Sequence, residues 1–323
     1  MAKKRGAGRS ESRRDDGGLD RVLALLDEAV PGLHDVEPPA DLPRGLPEPL
    51  IELYSRCNGL RMYLDTVEIG PASAVTMPTP GKWQFATVEG EPIAMDHRGR
   101  IWRSDESLDD DVCDGTRIDR WLAGLHDAYA LVYDADGEFA DDVFDDDGEI
   151  LPAVREKQLR AHLKRDAASP GIRWRLGLAL LEQGATEDAR DMLEQVVADD
   201  PAFTWAWLDL GRISEQLGDI GNALDEVRMA AETAEGVQHP QAGYFFAQLA
   251  RLANRSGDEV TRAQAATRTS LLAPSLKKAQ LEGARESLAA GDVRSAKGLL
   301  DLLRAVWPRD LDVLDLAKRV EGN

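Results

Sequence analysis

Nine carboxylates fall within sixteen consecutive residues, DADGEFADDVFDDDGE at 134–149, with no Lys, Arg or His among them. Carboxylates at that density could build a calcium loop, which needs oxygen ligands at fixed offsets and a glycine at the sixth position. The spacing fails. Setting Gly148 at the sixth position places Val143 at the first, and setting Gly137 there places Val132 at the first. A solvated linker between domains fits the run better than a metal loop does. A second acidic run occupies 105–114. As recognition elements, the two runs offer Asp109, Asp110, Asp111, Asp141, Asp142, Asp145, Asp146 and Asp147 as contacts for a basic partner.

Other chemistry is poorly served. His34, His97, His126, His162 and His239 are scattered, with no HExxH pair and no second ligand at helical spacing. Cys57 falls on the apolar side of a helical pattern, where a buried inert thiol is expected. Cys113 sits among aspartates, which disfavour a thiolate. The two form no CxxC or Cys/His ligand spacing, which fits a reducing compartment and argues against a disulfide framework or a structural zinc site. No GxSxG, Walker loop or dinucleotide fingerprint is present. The expectation is a non-enzymatic protein without metal or cofactor.

The formal charge of −20 is unevenly distributed. Residues 1–18 hold six Lys/Arg against three Asp/Glu, residues 19–150 hold ten against thirty, and residues 151–323 hold 23 against 26. The segment charges are therefore +3, −20 and −3, so the whole imbalance lies in 19–150. Such a surface repels nucleic acid and anionic membrane and steers basic proteins toward it. The tail at 1–18 reads as a disordered, solubilising leader rather than a nucleic-acid arm. It has no apolar h-region, and no apolar run approaches the length of a bilayer span, so a cytoplasmic location is expected.

The elements that position these groups divide into two regions. Toward the C-terminus, RWRLGLALLEQGATEDARDMLEQVVADDP aligns with WAWLDLGRISEQLGDIGNALDEVRMAAE at a shift of 34. Gly177 falls on Gly211, Gly184 on Gly218 and Ala189 on Ala223. A small residue on the first helix admits the second helix closely, a glycine permits the tight turn, and an alanine fills the crowded contact. A third unit, 243–274, keeps Leu249, Ala250 and Gly257 with one extra residue before Ala263, and GVQHPQ intrudes ahead of it. A fourth, 276–308, keeps Gly291, Ala296 and Pro308, and DLDVLDLAKRVEG reads as a capping helix.

This pattern resembles the tetratricopeptide repeat and implies an all-α solenoid over 170–323, of about four helical hairpins plus a capping helix. The resemblance places a ligand groove on the first helix of each repeat. Mapped here, its lining includes Trp174, Trp205, Leu208, Arg212, Tyr244, Arg251, Asn254, Arg255, Lys278 and Arg285. The arginines and lysine suit an acidic or carboxylate-bearing peptide. The plainer reading is that they are solvated charges and contacts to the neighbouring domain.

Ahead of the repeats, LDRVLALLDEAVPG fits a short amphipathic helix ended by Pro31-Gly32, and a Pro-rich linker follows. PLIELYSRCNGL is helical, with Leu50, Leu53, Tyr54 and Cys57 on one face and Asn58-Gly59 as its left-handed stop. RMYLDTVEIG, KWQFATV and EPIAMDHRGRIWRS are β-like, the last a hairpin through Arg98-Gly99. IDRWLAGLHDAYALVYD is helical again. Leu46-Pro47, Leu50, Tyr54, Asn58-Gly59, Asp96, Gly99, Ile101 and Trp121-Leu122 together resemble the SUKH superfamily over 19–133, with unusually acidic loops. The resemblance implies an α+β domain, joined through a linker at 134–169 to the repeats. It also implies toxin-neutralising immunity proteins or regulatory interaction proteins, and it brings no enzymatic site.

Two functions follow as expectations. In one, the acidic domain of an immunity-type or regulatory binder captures a basic, toxin-like protein, and the repeats add a second contact. In the other, the chain is a cytoplasmic scaffold that binds an acidic peptide in its groove. There the 134–149 segment regulates access by docking against Arg251, Arg255 and Arg285.

Overall fold

The computed structural model describes residues 18–322 except Asp109, Ala135 and Asp141, so the leader and two of the candidate aspartates lie outside the described residues. The chain forms two compact units, Met1–Ile172 and Arg173–Asn323.

In the first unit, Leu19, Val22 and Leu26 recur at helical spacing and bury one side of α1 (Gly18–Asp27). The helix stops short of the expected Pro31, leaving Val30 exposed. α2 (Glu48–Tyr54) buries Leu50, Leu53 and Tyr54. α3 (Ile118–Tyr129) buries Trp121, Leu122 and Leu125. The three helices share a core with an antiparallel sheet of eight strands among the described residues. The strands are β1 (His34–Val36), β2 (Leu60–Met62), β3 (Val67–Ile69), β4 (Thr76–Thr79), β5 (Lys82–Val88), β6 (Glu91–Asp96), β7 (Ile101–Asp105) and β8 (Asp110–Gly115). Their order is β1-β2-β3-β5-β6-β7-β8, with β4 on β5.

Several sequence expectations are corrected. RMYLDTVEIG is not one strand but the β2–β3 hairpin, turning where Tyr63 and Leu64 take left-handed φ of 54° and 63°. Asn58-Gly59 is not the stop of α2, which ends at Tyr54. Instead, Asn58 Oδ1 accepts the Ala72 amide at 3.2 Å, and Gly59 (φ 129°) lies where a Cβ would come within 2.8 Å of the Ile69 carbonyl. β1 ends where the expected linker begins, and β8 overlaps the run 105–114 that reads only as acidic. Val112 and Cys113 alternate too weakly among aspartates to announce that strand.

His34, at the head of β1, is part of an aromatic cluster. Its Nδ1 accepts the Tyr63 amide at 3.1 Å and its ring meets Tyr63 edge-on at 4.6 Å. The His126 ring lies 6.1 Å away. Burial, reinforced by His126, lowers the His34 pKa to about 4 from the ordinary 6.5. The unfolded chain therefore binds this proton first. The neutral ring's contribution is complete above pH 6.5 and is lost as pH falls toward 4. Thermal melts of the whole protein should show a Tm that drops across that window. His34→Gln, which keeps an acceptor for Tyr63, should flatten the drop, and an equally steep profile in the variant would remove His34 as its source.

The acidic run 134–149 is solvated but ordered. It forms two copies of one turn, offset by eleven residues, V-Y-D-x-D-G-E-F at 132–139 and V-F-D-x-D-G-E-I at 143–150. Asp134 Oδ1 accepts the amides of Asp136 and Glu138 at 2.9 and 3.1 Å, and Asp145 Oδ1 accepts those of Asp147 and Glu149 at 3.0 and 2.9 Å. Gly137 and Gly148 supply the positive φ of 81° and 83°. The Asp96-to-Arg100 turn between β6 and β7 repeats the geometry, with Asp96 Oδ1 accepting from Arg98 and Arg100. Phe139 stands between Tyr133 and Phe144 at ring separations of 5.1 and 5.0 Å, which joins the two copies.

α4 (Pro152–Arg165) completes this unit by packing on α3. Its buried His162 fills the space above Gly124, where any Cβ would overlap the imidazole ring. Asp166, fully buried just past the helix end, accepts both the amide and the hydroxyl of Thr116 at 2.6 Å.

The second unit continues as helical hairpins, in which α5 (Pro170–Glu182), α7 (Thr204–Gln216), α9 (Ala242–Ser256) and α11 (Leu276–Ala289) are the first helices. The second helices are α6 (Thr186–Asp199), α8 (Ile220–Gly236), α10 (Glu259–Leu272) and α12 (Val293–Val306), and α13 (Leu311–Glu321) closes the series. Gly184, Gly218, Gly257 and Gly291 turn each pair at φ of 78–81°. A Cβ at Gly211 would overlap Val227 of α8, which is why that position is small.

The third hairpin is in register after all. The residue five past Gly257 is Arg262, so Ala263 is not the contact alanine and there is no extra residue. Ala263 is exposed, while Arg262 directs its guanidinium to the Ala305 carbonyl at the end of α12, 2.9 Å away. α12 packs on α9 and α10 as well as on α11. It also shares a core with α11 and α13 built on Leu300, Leu303, Val313 and Leu316.

Candidate functional site

The first-helix face of the repeats carries a chain of side-chain contacts in place of an open row of cations. Asp209, absent from the expected lining, is its centre. Its carboxylate accepts the Trp174 indole N–H at 2.8 Å and pairs with Arg212 at 2.7 Å. Arg212 in turn reaches the Tyr244 hydroxyl at 3.4 Å. One turn farther along α7, Glu215 takes Arg251 of α9 in a two-toothed pair at 2.8 and 2.7 Å and Arg255 at 2.6 Å. Arg251 also donates to Gln248 at 3.0 Å.

The two carboxylates differ electrostatically. Burial raises the Asp209 pKa against the pull of Arg212 and Trp174. Hydrogen bonding to Arg251 lowers that of Glu215, which also faces Arg255. Glu215 is therefore a firmly ionised anchor for two arginines, whereas Asp209 holds its charge at a desolvation cost.

Several expected lining residues are consequently withdrawn from the surface. Leu208 is core, only 1% exposed, because α7 turns Asp209 toward the face. Trp205 is buried against Phe245 at 4.8 Å, with Tyr244 and His239 beside it. Trp174 is buried and offers only its indole N–H, which Asp209 occupies. Arg251 and Arg255, expected as receptors for the acidic segment 134–149, share the single carboxylate of Glu215, which offsets one of their two charges. Among the residues proposed for contact, Arg212, Asn254, Arg255, Lys278 and Arg285 are exposed and Tyr244 is half-buried. Lys278 stands 3.8 Å from Glu282 on its own helix. Asp209 escaped the sequence reading because it lies one position past the family's lining register. The signal is an acid flanked by Leu208 and Leu210 in the apolar first half of α7.

On the first unit, Asp111 pairs with Lys82 at 2.7 Å and accepts the Ser104 hydroxyl at the same distance, so within β8 it serves the sheet. Asp110 is likewise a strand residue, its carboxylate accepting the Asp111 amide at 2.8 Å. Asp142, Asp145, Asp146 and Asp147 are exposed, with Asp145 also holding its turn. Phe139 is 56% exposed beside them. Both thiols are buried, and burial raises their pKa, that of Cys113 to about 12. Among the described residues, no group of three or more His, Cys, Asp or Glu is placed to hold a metal ion. No helix of the described residues is long and apolar enough to cross a membrane.

Comparison with known proteins identifies the repeats. Tetratricopeptide repeat models match residues 156–202 and 180–249, and the chain carries tetratricopeptide repeats over 156–249. The earlier match begins inside α4, upstream of the expected start at Pro170. No SUKH model matches, and no curated protein matches. Similar solved structures include that of Pseudomonas aeruginosa pilF, 18% identical over 52% of this chain and 74% of that one, with a TM-score of 0.35. A tetratricopeptide repeat protein from Parabacteroides merdae is 14% identical over 63% and 73%, with a TM-score of 0.40. YrrB, described as a TPR protein with an unusual peptide-binding site, is 16% identical over 50% and 81%, with a TM-score of 0.33.

Proposed function

We propose, from the tetratricopeptide repeats of residues 156–249, that this chain is a non-enzymatic protein-interaction protein whose acidic first unit captures a basic protein partner. The repeats give a second contact. The observation that carries this reading is the pair of D-x-D-G-E turns. They hold exposed carboxylates on backbone already fixed by Asp134 and Asp145, next to the exposed ring of Phe139. Charge presented on an ordered frame forfeits little side-chain and loop entropy on binding, and thirty carboxylates against ten cations in 19–150 accelerate encounter with a basic surface. An immunity-type or regulatory role within the cytoplasm is the narrower form of the same reading, and it rests on the resemblance of residues 46–122 alone, which no family model matches.

The test uses the whole protein to retain partners at low and raised salt, followed by association kinetics with those retained. Asp142→Asn, Asp146→Asn and Asp147→Asn combined leave both turn-holding aspartates in place. They should slow association roughly tenfold at low salt, with the difference shrinking as salt screens it. Retention of acidic partners only would defeat the proposal.

A further inference from the structure

The second helices of the repeats carry a cleft of their own. Between α8 and α10 a cavity of about 490 Å³ opens on a floor of Phe246 and Leu249 of α9 and Ala265 of α10. The helical period puts Phe246 and Leu249 on the side of α9 away from Tyr244, Arg251 and Arg255. The cleft is therefore separate from the face on which Asp209 and Glu215 hold their arginines. Its walls recur at helical spacing, Arg228, Glu232 and Glu235 on α8 and Thr261, Gln264 and Arg268 on α10. Glu235 takes Arg268 across the cleft at 2.5 Å and ties the two helices at one end. Arg228 turns to Asp225 of its own helix at 2.6 Å. Glu232 stands between them, and its carboxylate has neither ion pair nor hydrogen bond among the described residues. The Gln264 side chain is unbonded among the described residues in the same way.

The neighbouring seams show what a cation does in such a place. Arg190 of α6 reaches Glu226 of α8 at 2.7 Å and Ser214 of α7 at 3.0 Å. Arg262 of α10 reaches the Ala305 carbonyl of α12 at 2.9 Å. Both arginine side chains are largely buried, 28% and 17% exposed. In each case a long apolar stem packs between hairpins while its charge finds an oxygen on the next one. Between α8 and α10 the oxygens of Glu232 and an apolar floor are both present, but the cation is not supplied by the described residues. A carboxylate without a cation, beside apolar surface, fits a basic side chain that brings an apolar neighbour.

We propose that this cleft receives a lysine-bearing segment of the basic protein partner. The lysine sits on Glu232 and Gln264, and an apolar side chain of the same segment rests on Phe246 and Leu249. The proposal rests on the capture reading above and gives the repeats' second contact a place apart from the acidic turns.

Carbodiimide coupling of the full chain to a fluorescein-labelled lysine–alanine peptide with one central leucine tests it, alongside the same peptide with serine for leucine. Peptide mapping should find the leucine peptide joined through lysine to Glu232. The serine peptide should couple there roughly tenfold less, the order of one apolar side chain withdrawn from water. Gln264→Lys supplies the missing cation from the chain itself and should lower coupling at Glu232 about threefold. Glu232→Gln, read by fluorescence anisotropy, should lose about threefold in affinity for the leucine peptide and serves should thermal melting show Gln264→Lys to be unstable. Absence of coupling at Glu232, equal coupling of the two peptides there, or undiminished binding in the folded variants would each overturn the cleft. The combined Asn substitutions of Asp142, Asp146 and Asp147 should leave coupling at Glu232 in place, so failure of the cleft and failure of capture by the acidic turns are read separately.

Discussion

Trp121→Ala should destabilise the first unit by about 3–5 kcal/mol, the cost of truncating a fully buried indole to a methyl group. Trp121 is completely inaccessible and sits where α3 meets the sheet. Its ring is 6.0 Å from that of Phe85, and its Cβ and Cδ1 lie 3.0 Å from where a Cβ on Gly115 would fall. Gly115 pairs with Ile101 across β7–β8. The glycine admits the indole to the sheet and has no side chain of its own to fill the vacated volume. Denaturant unfolding of the whole protein, followed by the sheet signal, should report the loss. A cost below about 1 kcal/mol would mean that α3 slides to close the cavity.

The features legible in the sequence were those fixed by short-range backbone requirements. Gly184, Gly218, Gly257 and Gly291 mark the turns because only glycine takes positive φ there cheaply. Gly177 and Gly211 mark close approaches, since each faces a bulky residue of its second helix, Leu193 and Val227. The third hairpin was misregistered because its contact position is Arg262. In the fold Asp258 caps α10 through Thr261, as Asp219 caps α8 through Asn222, and this shared cap fixes the register without the alanine.

In the acidic segments charge density masks local order. In 134–149 the conspicuous fact was nine carboxylates, whereas the structural signal was the D-x-x-G turn recurring at Asp96, Asp134 and Asp145. A side-chain oxygen that accepts amides two and four residues on replaces backbone partners a hairpin would otherwise need. The same masking hides β8, where Val112 and Cys113 are buried beside Asp111, which takes both Lys82 and Ser104. In the groove, composition overstated the positive charge because pairing is a property of three dimensions: Glu215 lies 36 residues before Arg251 in sequence and 2.7 Å from it in the fold.

Asp209 provides the sharper test of that groove, through two substitutions with opposite outcomes. Asp209→Ala removes the acceptor of the Trp174 N–H and the partner of Arg212 together, leaving a buried donor unsatisfied and a cation unpaired. Breaking a buried pair from one side costs about 3–5 kcal/mol. The lower end, about 3 kcal/mol, applies because Arg212 can turn its exposed side to water. Asp209→Asn keeps an acceptor for the indole and discards the charge. Burial raises the Asp209 pKa above the ordinary 3.8, so the folded state favours the protonated acid. The stability this confers is complete below 3.8 and is lost as pH climbs through the folded value. At neutral pH the asparagine variant should therefore match or exceed the parent, with its advantage vanishing on acidification toward 3.8. Glu215, whose pKa is lowered, has the reverse dependence and weakens its hold on Arg251 and Arg255 as pH falls below the ordinary 4.5. Denaturant titrations of both variants across this range separate the cases. An Asp209→Asn protein as damaged as Asp209→Ala at neutral pH would show that the Arg212 ion pair, and not the hydrogen bond to Trp174, secures α7 against α5.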